Sequence, residues 1–267
     1  MPPNSPSKPD INTFKSTRRQ AVSLGTAALL GSSLVASSAS AASPEMAPGA
    51  VEDQTAHQGD AVCRSCAHWQ DTADRVAVAD VIMRERLARE THNWADEATC
   101  FHPVSIVEVS WFKGTGAEFI EAGRKNPDTE GVHSDSMSPG VVWVNNDRAI
   151  ADTACAVHTF SQLGGIDVSI TSYTRLLWRV QRLNGQWLIA GLRGIYIRDT
   201  LIPRNPNQVP KLDEEKLATF RTSYRYLSYM LTAAGWPAHG DLPGVDQPEG
   251  VAALRAGERE WLGQSEK

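Results

Sequence analysis

Three side chains of this sequence belong to the types that move protons: Glu90, His133 and His158. Glu90 closes a stripe of Val76, Ala79, Met83 and Leu87, whose spacings of three and four fall on one helix face. A carboxylate on an apolar face is costly to desolvate, so it needs a partner or a pKa raised toward general-base range. Asp80, near the same stripe, reads as a structural hydrogen-bonding residue. His133 stands in a polar His-Ser-Asp-Ser segment between a helix and a strand, and imidazole gives and takes protons near neutral pH. His158 shares a strand face with Ala154, Ala156 and Phe160, the pattern of a pocket wall with one polar point in it. Together the three imply acid–base chemistry by a carboxylate and imidazoles.

Other chemistries find less support. The sequence contains no GxSxG, HExxH, phosphate-binding glycine loop or dinucleotide fingerprint, so no cofactor is expected. Glu90, His133 and His158 are also a donor set suited to iron or zinc, but residue type alone supports that, and no metal is expected. Cys63 and Cys66 form a CxxC without a second CxxC or a following histidine pair. With Cys100 and Cys155 they read as structural thiols or disulfides of open connectivity.

The elements that must position these groups follow in order. A helix is predicted to begin at Asp71 or Thr72, either of which can cap it, and to run toward Thr91. A helical turn over 93–98, a strand over 104–112 and a helix over 115–124 come next. Strands over 141–144 and 149–160 flank the turn Asn145-Asn146-Asp147, and strands over 169–183 and 186–197 flank Asn184-Gly185, a strong hairpin signal. Helices before a run of strands specify an α+β fold, with helices packed on one face of a curved antiparallel sheet. A Pro/Asn linker over 204–211 then leads to helices over 212–234 and 251–262.

The first 41 residues carry an address. Arg18-Arg19, a Gly- and Ser-rich uncharged run, and Ala39-Ser40-Ala41 form a twin-arginine signal peptide with its cleavage pattern. The run is too weakly apolar for a membrane span. Residues 42–69 read as a flexible lead-in, 70–203 as the domain proper and 204–267 as linker and C-terminal helical extension. Residues 1–41 hold Lys8, Lys15, Arg18, Arg19 and Asp10, net +3, so cleavage takes the formal charge from −5 to −8. An acidic chain without a basic stripe does not point to nucleic acid as a partner. Cleavage would place the protein in the periplasm or outside the cell.

The segments DRVAVADVIMRERLARETHNW, VEVSWFKGTGAEFI and RLNGQWLIAGLRGIYIRD resemble the SnoaL-like branch of the nuclear-transport-factor-2-like superfamily, over roughly 70–200. That resemblance implies a cone-shaped α+β barrel, its sheet wrapped around the first helix to leave an apolar pocket. The superfamily includes scytalone dehydratase, a dehydrochlorinase, isomerases, cyclases and non-catalytic members, so fold alone does not select an activity. It implies Glu90 at the place of a catalytic aspartate, His133 at that of its histidine, and a second histidine 25 residues on at His158. Arg89 and Val109 stand where the dehydratase has tyrosines, and Tyr173 and Arg193 are further polar residues of the later strands. The expected function is a cofactor-independent lyase or isomerase for a small apolar molecule; the alternative is a non-catalytic ligand-binding protein. A homo-oligomer through the sheet or the C-terminal helices is compatible with either.

Overall fold

A computed structural model describes residues 55–125 and 133–263, with side chains from Trp69 onward. The signal peptide, its cleavage site, most of the lead-in and the side chains of Cys63 and Cys66 lie outside the described residues. Helix α1 spans Thr55–Glu90, so Asp71 and Thr72 lie within it instead of capping it. No proline occurs between Pro48 and Pro103, and the lone Gly59 costs only about 1 kcal/mol, so nothing in the sequence stops the helix at residue 71. Among the described residues, no helix is long and apolar enough to cross a membrane.

Helix α2 (Trp94–Cys100) is capped by Asn93, whose side chain accepts from Asp96 N. Strand β1 (Phe101–Val109) turns tightly into β2 (Phe112–Thr115), and the two pair antiparallel. Helix α3 (Gly116–Arg124) opens on a capping box of Thr115 and Glu118, which satisfies two backbone donors reciprocally. Strands β3 (His133–Met137), β4 (Val141–Asn145), β5 (Arg148–Leu163), β6 (Ile166–Leu183) and β7 (Gln186–Pro203) complete a seven-stranded sheet. Its order is β2-β1-β7-β6-β5-β3, with β4 also on β5, and every pairing is antiparallel except β1 with β7. Asn184 and Gly185 take φ of 51° and 81°, the left-handed pair that a two-residue hairpin between twisted strands requires. Asn146, at φ 54°, is the one left-handed residue of the two-residue turn from β4 into β5.

The result is an α+β fold in which a curved, unclosed sheet holds α1, α2 and α3 on its concave side. Val78, Val81 and Ile82 of α1 pack there with Val107, Ala149, Trp178, Val180, Ile189 and Leu192. Each large apolar side chain buried in this way contributes about 1.5–3 kcal/mol.

The stripe of Val76, Ala79, Met83 and Leu87 faces the other way. Val76, Met83 and Leu87 are 65, 51 and 63% exposed, and the buried face consists of Asp74, Val78, Val81, Ile82, Glu85, Arg86, Ala88 and Arg89. An apolar count misses this face because its charged members, Glu85, Arg86 and Arg89, are buried only by pairing. Helix α1 is thus apolar on two sides.

The C-terminal region also departs from the expected single helix over 212–234. It forms α4 (Glu214–Ala218) and α5 (Arg225–Ala233), interrupted where Tyr224 buries its ring 4.6 Å from that of Tyr196. Helix α6 (Pro248–Leu262) begins with proline at its first turn and ends on Gly263 at φ 82°. It is held on the sheet by Glu258 to Arg179 and Arg193, and by Arg255 to Asp152.

Candidate active site

The concave side of the sheet is not filled completely. A cavity of about 250 Å³ remains between the last turns of α1, β1, α3, the sheet and α5. Its walls are largely apolar: Val109, Trp111, Phe119, Val157, Ile170 and Leu192 come from the domain proper. Leu227, Met230, Leu231 and Trp236 come from the C-terminal extension, which therefore completes the cavity. Trp236 meets Trp111 edge-on in its wall, with ring centroids 5.9 Å apart. Asp199 of β7 accepts from Leu227 N and so caps α5, which lacks a side-chain cap of its own.

One end of the cavity is polar and is built from α1 and β3. Strand alternation puts His133 and Asp135 on the same face, and both line the cavity with Arg86 and Arg89. Arg86 binds Glu85 through Nε and Nη2, and its Nη1 lies 3.1 Å from Asp135 Oδ2. Arg89 donates from Nη2 to Glu97 Oε1 at 2.5 Å and lies over the Phe119 ring, 3.5 Å from its centroid. Its Nε is 3.5 Å from Glu85 Oε1, close enough for an ion pair but without a hydrogen bond. The α1–β3 seam is thus a buried alternation of carboxylates and guanidinium groups.

This network sets the protonation of the site. Burial lowers the pKa of His133; Arg86 and Arg89 lower it further, against an opposite pull from Asp135 and Glu90. His133 is therefore a neutral imidazole near neutral pH, able to accept a proton. Burial would lower the pKa of Arg86, but the carboxylates of Glu85 and Asp135 outweigh it and hold the guanidinium charged. Glu97 is fully buried, and its burial pushes the carboxyl up to about 7 despite Arg89. Opposite this end, Tyr196 accepts the backbone N–H of Ser110 at 2.8 Å, and burial pushes its phenol up to about 12.

Of the three residues expected from sequence, the cavity receives one. His133 lines it, from strand β3 and not from a loop, with His133 paired to Thr159 of β5. Glu90 does not line it: its Oε1 accepts the backbone N–H of Asp135 at 2.6 Å and so fastens β3 to the end of α1. His158 sits on the opposite face of β5 from Val157 and Thr159, between Ser136 Oγ and Thr171 Oγ1, each 3.1 Å from a ring nitrogen. Of the face expected to form the pocket wall, Phe160 lines the cavity, whereas Ala154, Ala156 and His158 do not. Arg193 pairs with Glu108 and Glu258, and Tyr173 is 42% exposed; neither lines the cavity.

Sequence reasoning missed Asp135 and Arg86, and noted Arg89 and Val109, which both line the cavity, only as departures from the dehydratase pattern. The signal for Asp135 was its position two residues after His133, which becomes informative once that segment is a strand. Cys100 and Cys155 are buried free thiols. Among the described residues, no three His, Cys, Asp or Glu side chains are grouped to hold a metal ion.

No family model matches the chain. Pea pathogenicity protein 2 of Fusarium vanettenii is 28% identical over 180 residues, which cover 65% of this chain and 77% of that protein. A type 2 hexachlorocyclohexane dehydrochlorinase (LinA) superposes with a TM-score of 0.44 at 13% identity, covering 53% of this chain and 97% of that one. A Novosphingobium aromaticivorans protein assigned provisionally as a scytalone dehydratase gives 0.42 at 14% identity, covering 52% and 97%.

Proposed function

We propose that this chain is an exported, cofactor-independent lyase or isomerase of the SnoaL-like branch, acting on a small, largely apolar molecule. One observation carries the reading: a half-buried His133, held neutral, on the wall of an otherwise apolar cavity of about 250 Å³. In this reading His133 accepts a proton from the carbon next to a carbonyl or leaving group. The C–H electron pair then forms a carbon–carbon double bond, which pushes the carbonyl π pair onto oxygen or expels the leaving group, and the imidazolium returns its proton to the product or the leaving group. Asp135, on the same strand face, stabilises the imidazolium that forms. Glu90 is a positioning residue that acts through the Asp135 backbone.

The test starts from the molecules that co-purify with the protein, identified by mass spectrometry and offered back to it. Turnover by the native chain and none by a folded His133→Ala variant supports the reading. Binding without turnover in either protein favours a non-catalytic ligand cup instead. Export has its own test: Arg18→Lys with Arg19→Lys should retain the protein in the cytoplasm, and continued export would refute the twin-arginine assignment.

A further inference from the structure

The outward stripe of α1 remains unexplained by the fold. Trp69, Val76, Met83 and Leu87 are 70, 65, 51 and 63% exposed, while Val78, Val81 and Ile82 fill the opposite side. The four follow at steps of seven, seven and four, so at 1.5 Å rise per residue they line about 27 Å of one helix side. Val62 continues the seven-residue step in the sequence. Isolated exposed apolar residues are ordinary, but a contiguous seam at near-heptad spacing is the pattern by which one helix packs on another.

We propose that this seam is a two-fold interface with a second copy of this chain, the two α1 helices running antiparallel. Charge complementarity selects a second copy as the occupant. Asp80 and Arg84 are both exposed, and at 100° per residue they flank the seam on the same side. Antiparallel pairing brings the same flank of both helices together. A register that sets Val76 against Leu87 of the second copy brings Ala79 within one residue of Met83 and Asp80 within one residue of Arg84. The position numbers of these pairs sum to 163, 162 and 164, so all three fall within one residue of a common register. Symmetry repeats each contact, as an isologous interface requires. Ala79, on the opposite flank, leaves room for close approach. Asp80 forms no ion pair among the described residues, and Arg84 makes only a 3.3 Å contact to Thr99 Oγ1.

Sedimentation equilibrium of the full chain over a hundredfold range of concentration tests this. The expected result is a reversible dimer whose dissociation constant rises at least tenfold in Asp80→Arg or Arg84→Asp alone. The double variant Asp80→Arg/Arg84→Asp should recover to within about threefold of the native chain, because the pairs re-form with reversed sign. Met83→Asp should be monomeric with an unchanged circular dichroism spectrum, since that side chain contributes nothing to the core. A monomer at every concentration, which is the outcome if another part of the chain covers the seam, overturns the proposal. So does a dimer indifferent to Met83→Asp, or a charge swap without recovery.

Discussion

Arg86 Nη1 lies 3.1 Å from Asp135 Oδ2, and this contact joins the last turns of α1 to β3 two residues beyond His133. The histidine that lines the cavity is thereby placed relative to the helix by two anchors. One is this ion pair; the other is the 2.6 Å bond from Asp135 N to Glu90 Oε1.

Replacing Asp135 by asparagine keeps the shape but removes the charge. Arg86 retains Glu85, so the cost should stay near that of one charged hydrogen bond, about 1.5–3 kcal/mol by urea denaturation. Asp135 pulls the His133 pKa upward, so its loss should lower that pKa further. An NMR titration of the ring protons checks this; an unchanged or raised value would separate Asp135 from His133.

Two groups of the site drive stability in opposite directions with pH. Glu97 is raised from 4.5 to about 7 in the folded state, so that state binds more protons over this window and Glu97 makes stability fall as pH rises. His133 is lowered from 6.5, so the unfolded state binds more protons just below that value and stability rises with pH there. Glu97→Gln should remove the first contribution and leave the second. Urea titrations at pH 5 and 7.5 should therefore show a smaller loss of stability with rising pH in the variant than in the native protein.

The cavity depends on the C-terminal extension, so a residue far along the chain should control ligand fit. Trp236→Ala removes the edge contact to Trp111 and opens the wall that α5 helps to form. Aromatic pairs of this kind contribute about 0.5–1.5 kcal/mol beyond their buried area, so the fold should survive. Affinity for a co-purifying ligand should fall at least tenfold by calorimetry. An unchanged affinity would place the ligand elsewhere.

Much of this architecture was legible from local pattern. Asn184-Gly185 announced its hairpin because only a few residues tolerate positive φ at both turn positions, and the helix expected over 115–124 forms as α3. The failures share a cause: tertiary charge pairing overrode hydrophobic phase. Helix α1 carries apolar residues on two sides, and the buried side also holds Glu85, Arg86 and Arg89, whose burial becomes tolerable only through pairing with one another and with partners on α2 and β3. His158 and His133 come from strands whose facing is fixed by register with neighbouring strands, and a one-residue shift turns every side chain over. The contribution of α5 to the cavity was invisible for a related reason. It rests on contacts such as Tyr224 with Tyr196, between segments that no local pattern connects.

Deuterium incorporation tests the central claim most directly. A panel of small cyclic ketones and β-hydroxyketones would be incubated with the protein in D2O and read by mass spectrometry. The native protein should incorporate deuterium next to the carbonyl, or eliminate water, for at least one member of the panel. That activity should fall on the acid side as His133 becomes protonated, and His133→Gln should abolish it while preserving the fold. Exchange that persists undiminished in His133→Gln would contradict the account.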